Sequence, residues 1–172
     1  MAGVISAYDM ANIAREGRKR GIAYVMPIGT FNPPRRHHGN LFREASEHGI
    51  VIVVANTDDS VSLYRNGNGR GDFIFPFAYR AALVSQFPHV TYIVPFCDVN
   101  AAETIRVIKP NQVWKGPDYT LESINRSEFL EGTKIAEELG VSSEEYFHFA
   151  SVCEKETFDM KQSLRDYRRW AV

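Results

Sequence analysis

The chain has little cysteine, no excess of either charge and no long apolar run. Its two cysteines, Cys97 and Cys153, stand alone in 172 residues, without metal-ligand spacing and without a framework of pairs. They read as the reduced thiols of an intracellular chain. With 20 basic and 21 acidic residues the net charge is −1. That balance gives no bulk attraction for nucleic acid or for a membrane surface. No apolar stretch approaches the ~20 residues that cross a bilayer. The first residues lack the apolar core of a secretory signal, so a cytoplasmic location is expected. The glycine patterns of a P-loop and of the GxGxxG dinucleotide fingerprint are both missing. Without an internal repeat or a linker, residues 1–172 are expected to form a single domain. Its core would run over about 22–150 and a terminal helix over about 158–170.

What is present is alternation. Apolar runs at 22–28, 50–55 (Ile-Val-Ile-Val-Val-Ala), 90–95 and 111–114 predict strands, and 146–150 predicts a last one. Most are apolar throughout, as strands covered on both faces are. Helices are expected at about 7–20, 38–48, 76–87, 101–108 and 127–139. Ser6 with Asp9 resembles a capping box, Gly21 and Gly140 are natural stops, and Pro76 suits a first turn. Strand and helix alternate almost throughout. This predicts an α/β, Rossmann-like fold: a parallel sheet of about five strands with helices on both faces. Ligands of such sheets sit beyond the carboxyl ends of the strands. The loops at 29–37, 56–59, 96–98 and 115–119 would share that rim. Arg65-Asn-Gly-Asn-Gly-Arg-Gly-Asp72 is the one low-complexity stretch and reads as a mobile loop.

The segment Ile28-Gly-Thr-Phe-Asn-Pro-Pro-Arg-Arg-His-His-Gly-Asn-Leu-Phe-Arg-Glu-Ala45 carries the most chemistry. A strand ends at Gly29, a short basic loop follows, and Leu41, Phe42 and Ala45 then recur at helical spacing. Backbone N–H groups at a helix start lack partners, and the dipole makes that end positive. Arg35, Arg36, His37 and His38 add cationic side chains there, so the place suits phosphate. Thr30 and Phe31 would present backbone N–H groups, and His38 would donate to a phosphate oxygen. His37 reads as lining the loop.

A second group, Lys115-Gly-Pro-Asp-Tyr119, follows a predicted strand. Lysine is a compact point charge suited to phosphate, and Asp118 is placed to hold a sugar hydroxyl. An ordinary charged turn reads the same way. Arg80 opens a helix and would reach the same rim. Arg65 and Arg70 could fold over a triphosphate or remain solvated. Asp59 reads as a turn cap. No histidine or cysteine cluster suggests a bound metal. Leu164-Arg-Asp-Tyr-Arg-Arg-Trp170 reads as an amphipathic terminal helix docking Leu164, Tyr167 and Trp170, with an RNA-binding tail as the alternative.

These residues resemble the cytidylyltransferase-like nucleotidyltransferases. Their signature is a Gly-x-Phe-Asp/Asn-Pro-like loop followed by His-x-Gly-His at a helix start. Gly29, Phe31 and Asn32 match the first part, and His38 matches the second histidine. Arg35 stands where the first histidine usually is, and His37 replaces the glycine. The Asn-Pro loop looks like that of the nicotinamide-mononucleotide adenylyltransferases. Over about 5–125 the chain is more similar to the adenylyltransferase that makes ADP-heptose. That similarity is carried by Val54-Ala-Asn-Thr-Asp-Asp-Ser-Val61, Pro76-Phe-Ala-Tyr-Arg80, Val94-Pro-Phe96, Ile108-Lys-Pro110 and Lys115-Gly-Pro-Asp-Tyr119. The family's late Ile-Ser-Thr/Ser-Thr-x-Ile-Arg segment has no good copy; Gln162-Ser-Leu-Arg165 is the nearest.

The resemblance implies transfer of a nucleotidyl group from ATP or CTP to a phosphorylated small molecule. It favours ATP and a sugar 1-phosphate. Mg²⁺ would arrive with the triphosphate, and no protein metal ligands are assigned. On this reading His38, Lys115 and Arg35 are catalytic. Gly29, Thr30, Phe31, Arg35, His38 and Arg80 bind nucleotide, and Asn32, Asp118 and Tyr119 bind the acceptor. A homodimer is a possible assembly; membrane and nucleic acid are not expected partners. Two alternatives stay open. One is a cytidylyltransferase for a phosphoalcohol or a nicotinamide-mononucleotide adenylyltransferase. The other is a nucleotide-binding protein without catalysis.

Overall fold

The computed structural model describes residues 2–66 and 75–151. The predicted terminal helix at 158–170, Cys153, Arg70 and the Gln162–Arg165 segment lie outside the described residues. So does the glycine-rich stretch from residue 67 to 74.

In chain order the elements are β1 (Gly3–Val4), α1 (Ala7–Arg18), β2 (Tyr24–Gly29), α2 (Arg36–Ser46), β3 (Ile50–Asn56), α3 (Asp58–Asn66) and α4 (Phe77–Val84). Then come β4 (Val90–Phe96), α5 (Ala102–Ile108), β5 (Gln112–Lys115), a 3₁₀ turn at Leu121–Ser123, α6 (Arg126–Leu139), α7 (Ser143–Tyr146) and β6 (Phe147–Phe149). The six strands form one sheet in the order β1-β4-β3-β2-β5-β6, and every pairing is parallel. The expected α/β Rossmann-like architecture is therefore the observed one. The sixth strand, β1, is a two-residue edge too short to show in the pattern. α3 also went unpredicted, because Asp58–Asn66 is mostly polar and ran into the glycine-rich stretch.

Both faces of the sheet are covered, and the parity of each strand shows how. Tyr24, Met26 and Ile28 of β2, with Ile52 and Val54 of β3, pack under α1, α5 and α6 through Met10, Ala14, Ile105, Ile108 and Ile135. Val25, Val51, Val53 and Ala55 face the other way, onto Leu41, Phe42 and Ala45 of α2 and Ala81 and Val84 of α4. Alternate residues enter opposite cores, which is why these strands read as unbroken apolar runs. A fully buried Val or Ile contributes about 1.5–3 kcal/mol, so the central strands anchor the fold.

The strand order reverses between β2 and β5. From β2 the chain moves through β3 to β4 on one side, and β5 and β6 add on the other. A crevice therefore opens between the loop after β2 and the loop after β5, at the carboxyl ends of the strands. Local capping fixes the surroundings. Ser6 Oγ accepts the Asp9 N–H at 3.1 Å at the start of α1, as its sequence predicts. Gly140 ends α6 at φ +73°, a left-handed position that favours glycine.

Candidate active site

The loop from Gly29 to Arg35 leaves β2 at this crevice and is shaped by one buried ring. Phe31 has φ +51° and is 3% exposed. A non-glycine residue in that conformation costs about 1–2 kcal/mol. Burying the ring against Phe42 (centroids 5.4 Å apart) and edge-on to His38 (5.1 Å) offsets the cost. A Cβ on Gly29 would lie 3.0 Å from the ring's Cζ, so glycine lets the phenyl fold back beneath the loop without a shift.

α2 begins two residues before its expected start, with Arg35 as N-cap in extended conformation. Arginine is a poor cap by itself. His38 caps from inside the helix: its Nδ1 accepts the Arg35 N–H at 2.8 Å. Burial, with His37 and Arg35 adding to it, pushes the His38 pKa down to about 3. The imidazole is therefore neutral at physiological pH. With Nδ1 accepting, its proton sits on Nε2. His38 is thus a fixed, uncharged donor at the head of a helix. His37 lies against it, ring centroids 4.0 Å apart and Nε2 to Nε2 3.2 Å. Among the described residues neither Arg35 nor Arg36 has a carboxylate partner. Two arginines and two histidines thus gather at the loop's end and the first turn of α2, with no ion pair to an acid among the described residues.

Arg80, expected on the nucleotide, is turned into the protein instead. It has no exposed surface. Its Nε donates to Phe75 O, Nη1 to Thr30 O, and Nη2 to Asn56 O and Asp58 Oδ1, at 2.8 to 3.0 Å. Asp58 also accepts the Phe77 N–H at the head of α4. Asn32, expected on the acceptor, accepts the Phe75 N–H through Oδ1 at 2.8 Å. Three rim segments, after β2, after β3 and before α4, are therefore tied together by one guanidinium. Sequence could place Arg80 at the rim but not its direction, which the distant carbonyls of Thr30 and Asn56 decide together with the nearby one of Phe75. Asn56 Oδ1 is buried there with no hydrogen-bond partner among the described residues.

Across the crevice, Lys115 ends β5. Its Nζ is 2.6 Å from Glu128 Oε2 and lies 5.4 Å from the centre of the Tyr119 ring. Lys115 and Glu128 are 5% and 4% exposed. Glu128 Oε1 also accepts the Ala101 N–H at 2.9 Å, so one carboxylate joins β5, α6 and the start of α5. Glu128 was not among the residues read from the sequence, because both of its partners lie far along the chain. Asp118 and Tyr119 are exposed at the edge of the crevice. Among the described residues no group of three or more metal-type side chains converges, and no helix is long and apolar enough to cross a membrane.

A parallel sheet with basic residues at its switch point is a Rossmann-like build, and that place suits an anion. The relatives narrow that class. The bifunctional protein HldE of Vibrio parahaemolyticus is 32% identical over 123 residues, which is 71% of this chain and 25% of that protein. The HldE protein of Halorhodospira halophila is 29% identical over 123 residues, 72% of this chain and 25% of its own length. The match thus spans about a quarter of these curated relatives. A crystal structure of the lipopolysaccharide core biosynthesis protein from Thermoplasma volcanium covers 78% of this chain and all of its own, with TM-score 0.58 and 23% identity; it shares the fold. No family model matches the chain. The chain is thus homologous to a quarter-length segment of the HldE proteins, in line with the resemblance its motifs carry.

Proposed function

We propose that the protein transfers an adenylyl group from MgATP to a sugar 1-phosphate and releases pyrophosphate. A phosphate oxygen of the acceptor attacks the α-phosphorus. The bond from that phosphorus to the bridging oxygen of the β-phosphate breaks, and its electrons leave with pyrophosphate. No covalent enzyme intermediate is needed. The chain has to align the two substrates and stabilise the charge that builds on the phosphoryl oxygens.

The observation that carries this reading is His38. A neutral imidazole, pinned through Nδ1 and donating from Nε2 at a helix head, is a preorganised donor for an α- or β-phosphate oxygen. It needs no proton transfer and no reorientation. Gly29, Thr30 and Phe31 form the turn that brings backbone N–H groups close to the same phosphates. Arg35 supplies the permanent charge that the family's first histidine would carry only in part, and its planar fork fits two phosphate oxygens. Lys115, released from or shared with Glu128, would face the acceptor phosphate, with Asp118 and Tyr119 beside it. The metal enters as part of the nucleotide, held by phosphate oxygens and water. The motif resemblance to the adenylyltransferase that makes ADP-heptose supports ATP over CTP and a sugar phosphate over other acceptors.

The test is pyrophosphate release across ATP and CTP, each with a panel of sugar 1-phosphates, phosphoalcohols and nicotinamide mononucleotide. Release is expected only with an acceptor present, and most with ATP and a sugar 1-phosphate. His38→Ala should lower kcat by roughly 10²–10³, the worth of one transition-state donor, with a much smaller change in nucleotide affinity. A variant that keeps half of wild-type kcat removes His38 from the chemistry. Tight nucleotide binding without turnover on any acceptor would favour the non-catalytic alternative.

A further inference from the structure

The carboxyl end of the sheet carries one polar group that the proposed reaction does not use. Asn56 is the last residue of β3 and is 8% exposed, and its Oδ1 is buried with no hydrogen-bond partner among the described residues. Its backbone carbonyl is taken by Arg80 Nη2; the side-chain oxygen is not. A buried polar atom without a partner destabilises a fold, so its presence asks for a reason. Alternation along the strands fixes the face on which Asn56 stands. Ile52 and Val54 lie in the core under α1, α5 and α6, whereas Val51, Val53 and Ala55 lie in the core under α2 and α4. Asn56 therefore stands on the face of Ile52 and Val54, and its register partner Phe96 packs in that same core. Lys115 shares the face: Val113, two residues earlier, is in that core, and Glu128 of α6 holds the Lys115 Nζ at 2.6 Å. β2 runs between the two strands and places Ile28 on the same face. Two strand spacings, roughly 10 Å, thus separate β3 from β5. The strip across them reads amide, apolar floor, ammonium. A hydroxylated ring ending in a phosphate has the same order of groups.

We propose that Asn56 is a specificity residue for the acceptor, its side-chain amide bonding a hydroxyl of the sugar whose phosphate Lys115 holds. This rests on the adenylyltransferase reading of the site and gives the acceptor a second point of recognition. A hydroxyl both donates and accepts, and half a turn about χ2 exchanges Oδ1 with Nδ2, so a hydroxyl satisfies whichever arm of the amide meets it. A phosphorylated molecule with no hydroxyl at that distance leaves Oδ1 unpaired, as in the free protein. A site built to bond a substrate hydroxyl rejects the analogue lacking it more strongly than a site that only fits its shape. Asn56 therefore selects sugar phosphates over phosphorylated alcohols that are short or unhydroxylated at that place. Its unpaired state in the free protein is the cost of that selection.

The test has a stability arm and a kinetic arm. Asn56→Leu keeps the branched shape without polar atoms, and Asn56→Val is smaller. With no ligand present, at least one of the two should be as stable as wild type in urea titrations, because no hydrogen bond is lost. If both are clearly less stable, the amide has a partner within the fold and the inference is wrong. The kinetic arm is kcat/KM for pyrophosphate release with ATP, measured with the best sugar 1-phosphate and with each of its single-deoxy analogues. Wild type should lose about tenfold or more on one analogue, the worth of one such bond. The stable variant should lose a similar factor on the parent sugar and nothing further on that analogue, with KM for ATP unchanged. If the variant keeps wild-type kcat/KM, or if the two losses simply add for every analogue, the inference is wrong and the adenylyltransferase reading survives. If no sugar 1-phosphate supports release or shifts the melting temperature of the wild type, both fall together.

Discussion

His38 does two jobs with one ring. Its Nδ1 caps α2 and its Nε2 is left to donate, and burial keeps it neutral. The same burial has a cost in acid. The unfolded chain takes up a proton near the ordinary histidine pKa of ~6.5, whereas the folded chain resists until about pH 3. Between those values the unfolded state binds one more proton, so His38 lowers stability as pH falls through that window and has no such effect above it. His38→Gln should therefore show a flatter fall in stability between pH 6 and pH 4, by up to one proton, in denaturant titrations run across that range. An unchanged slope would mean that the ring is charged in the folded protein. Arg80 makes the complementary case. Arg80→Ala would strand the carbonyls of Thr30, Asn56 and Phe75, and a loss of about 3–5 kcal/mol is expected. Arg80→Lys keeps the charge but not the fork. It should fold, and it should raise KM for nucleotide by loosening the loop at Thr30; a wild-type KM would show that the loop holds its shape without the guanidinium.

At the scale of elements, the central strands were legible because β2, β3 and β4 are apolar at nearly every position, which only a sheet covered twice requires. Helices α1 and α6 were legible from their caps, Ser6 and Gly140. The two-residue β1 carries no period to read. The start of α2 was misplaced by two residues because its cap is a histidine in the first turn rather than a Ser, Thr or Asp before it. The site was legible where sequence neighbours make it, as in Gly29–His38. It was not legible where long-range contacts do. Glu128 reaches Lys115 across 13 residues and Ala101 across 27. This buried pair yields a prediction that separates structure from chemistry. Glu128→Gln alone leaves a buried cation without its partner and should cost about 3–5 kcal/mol. Replacing both, Lys115→Met with Glu128→Leu, should recover most of that stability in urea titrations, since apolar groups can substitute for a buried ion pair. Pyrophosphate release should not recover. If the double variant turns over normally, Lys115 is a structural residue and has no part on the acceptor.

For the molecule as a whole, the strand order does more than any single residue. Reversal between β2 and β5 brings the Gly29–Arg35 loop and the Lys115–Tyr119 loop to opposite walls of one crevice, although they lie far apart in sequence. Arg80 and Glu128 then brace those walls from behind, one on each side of the sheet's switch point. A nucleoside triphosphate along the first wall and a phosphorylated acceptor against the second would meet at the α-phosphorus. That claim is tested most directly by following label. With ATP labelled at the α-phosphorus and a sugar 1-phosphate acceptor, the account predicts that the label passes into the sugar nucleotide, and that label placed at the γ-phosphorus leaves in pyrophosphate. Label from the γ-phosphorus appearing on the sugar, or α-label that never leaves the free nucleotide pool with any acceptor, would contradict it.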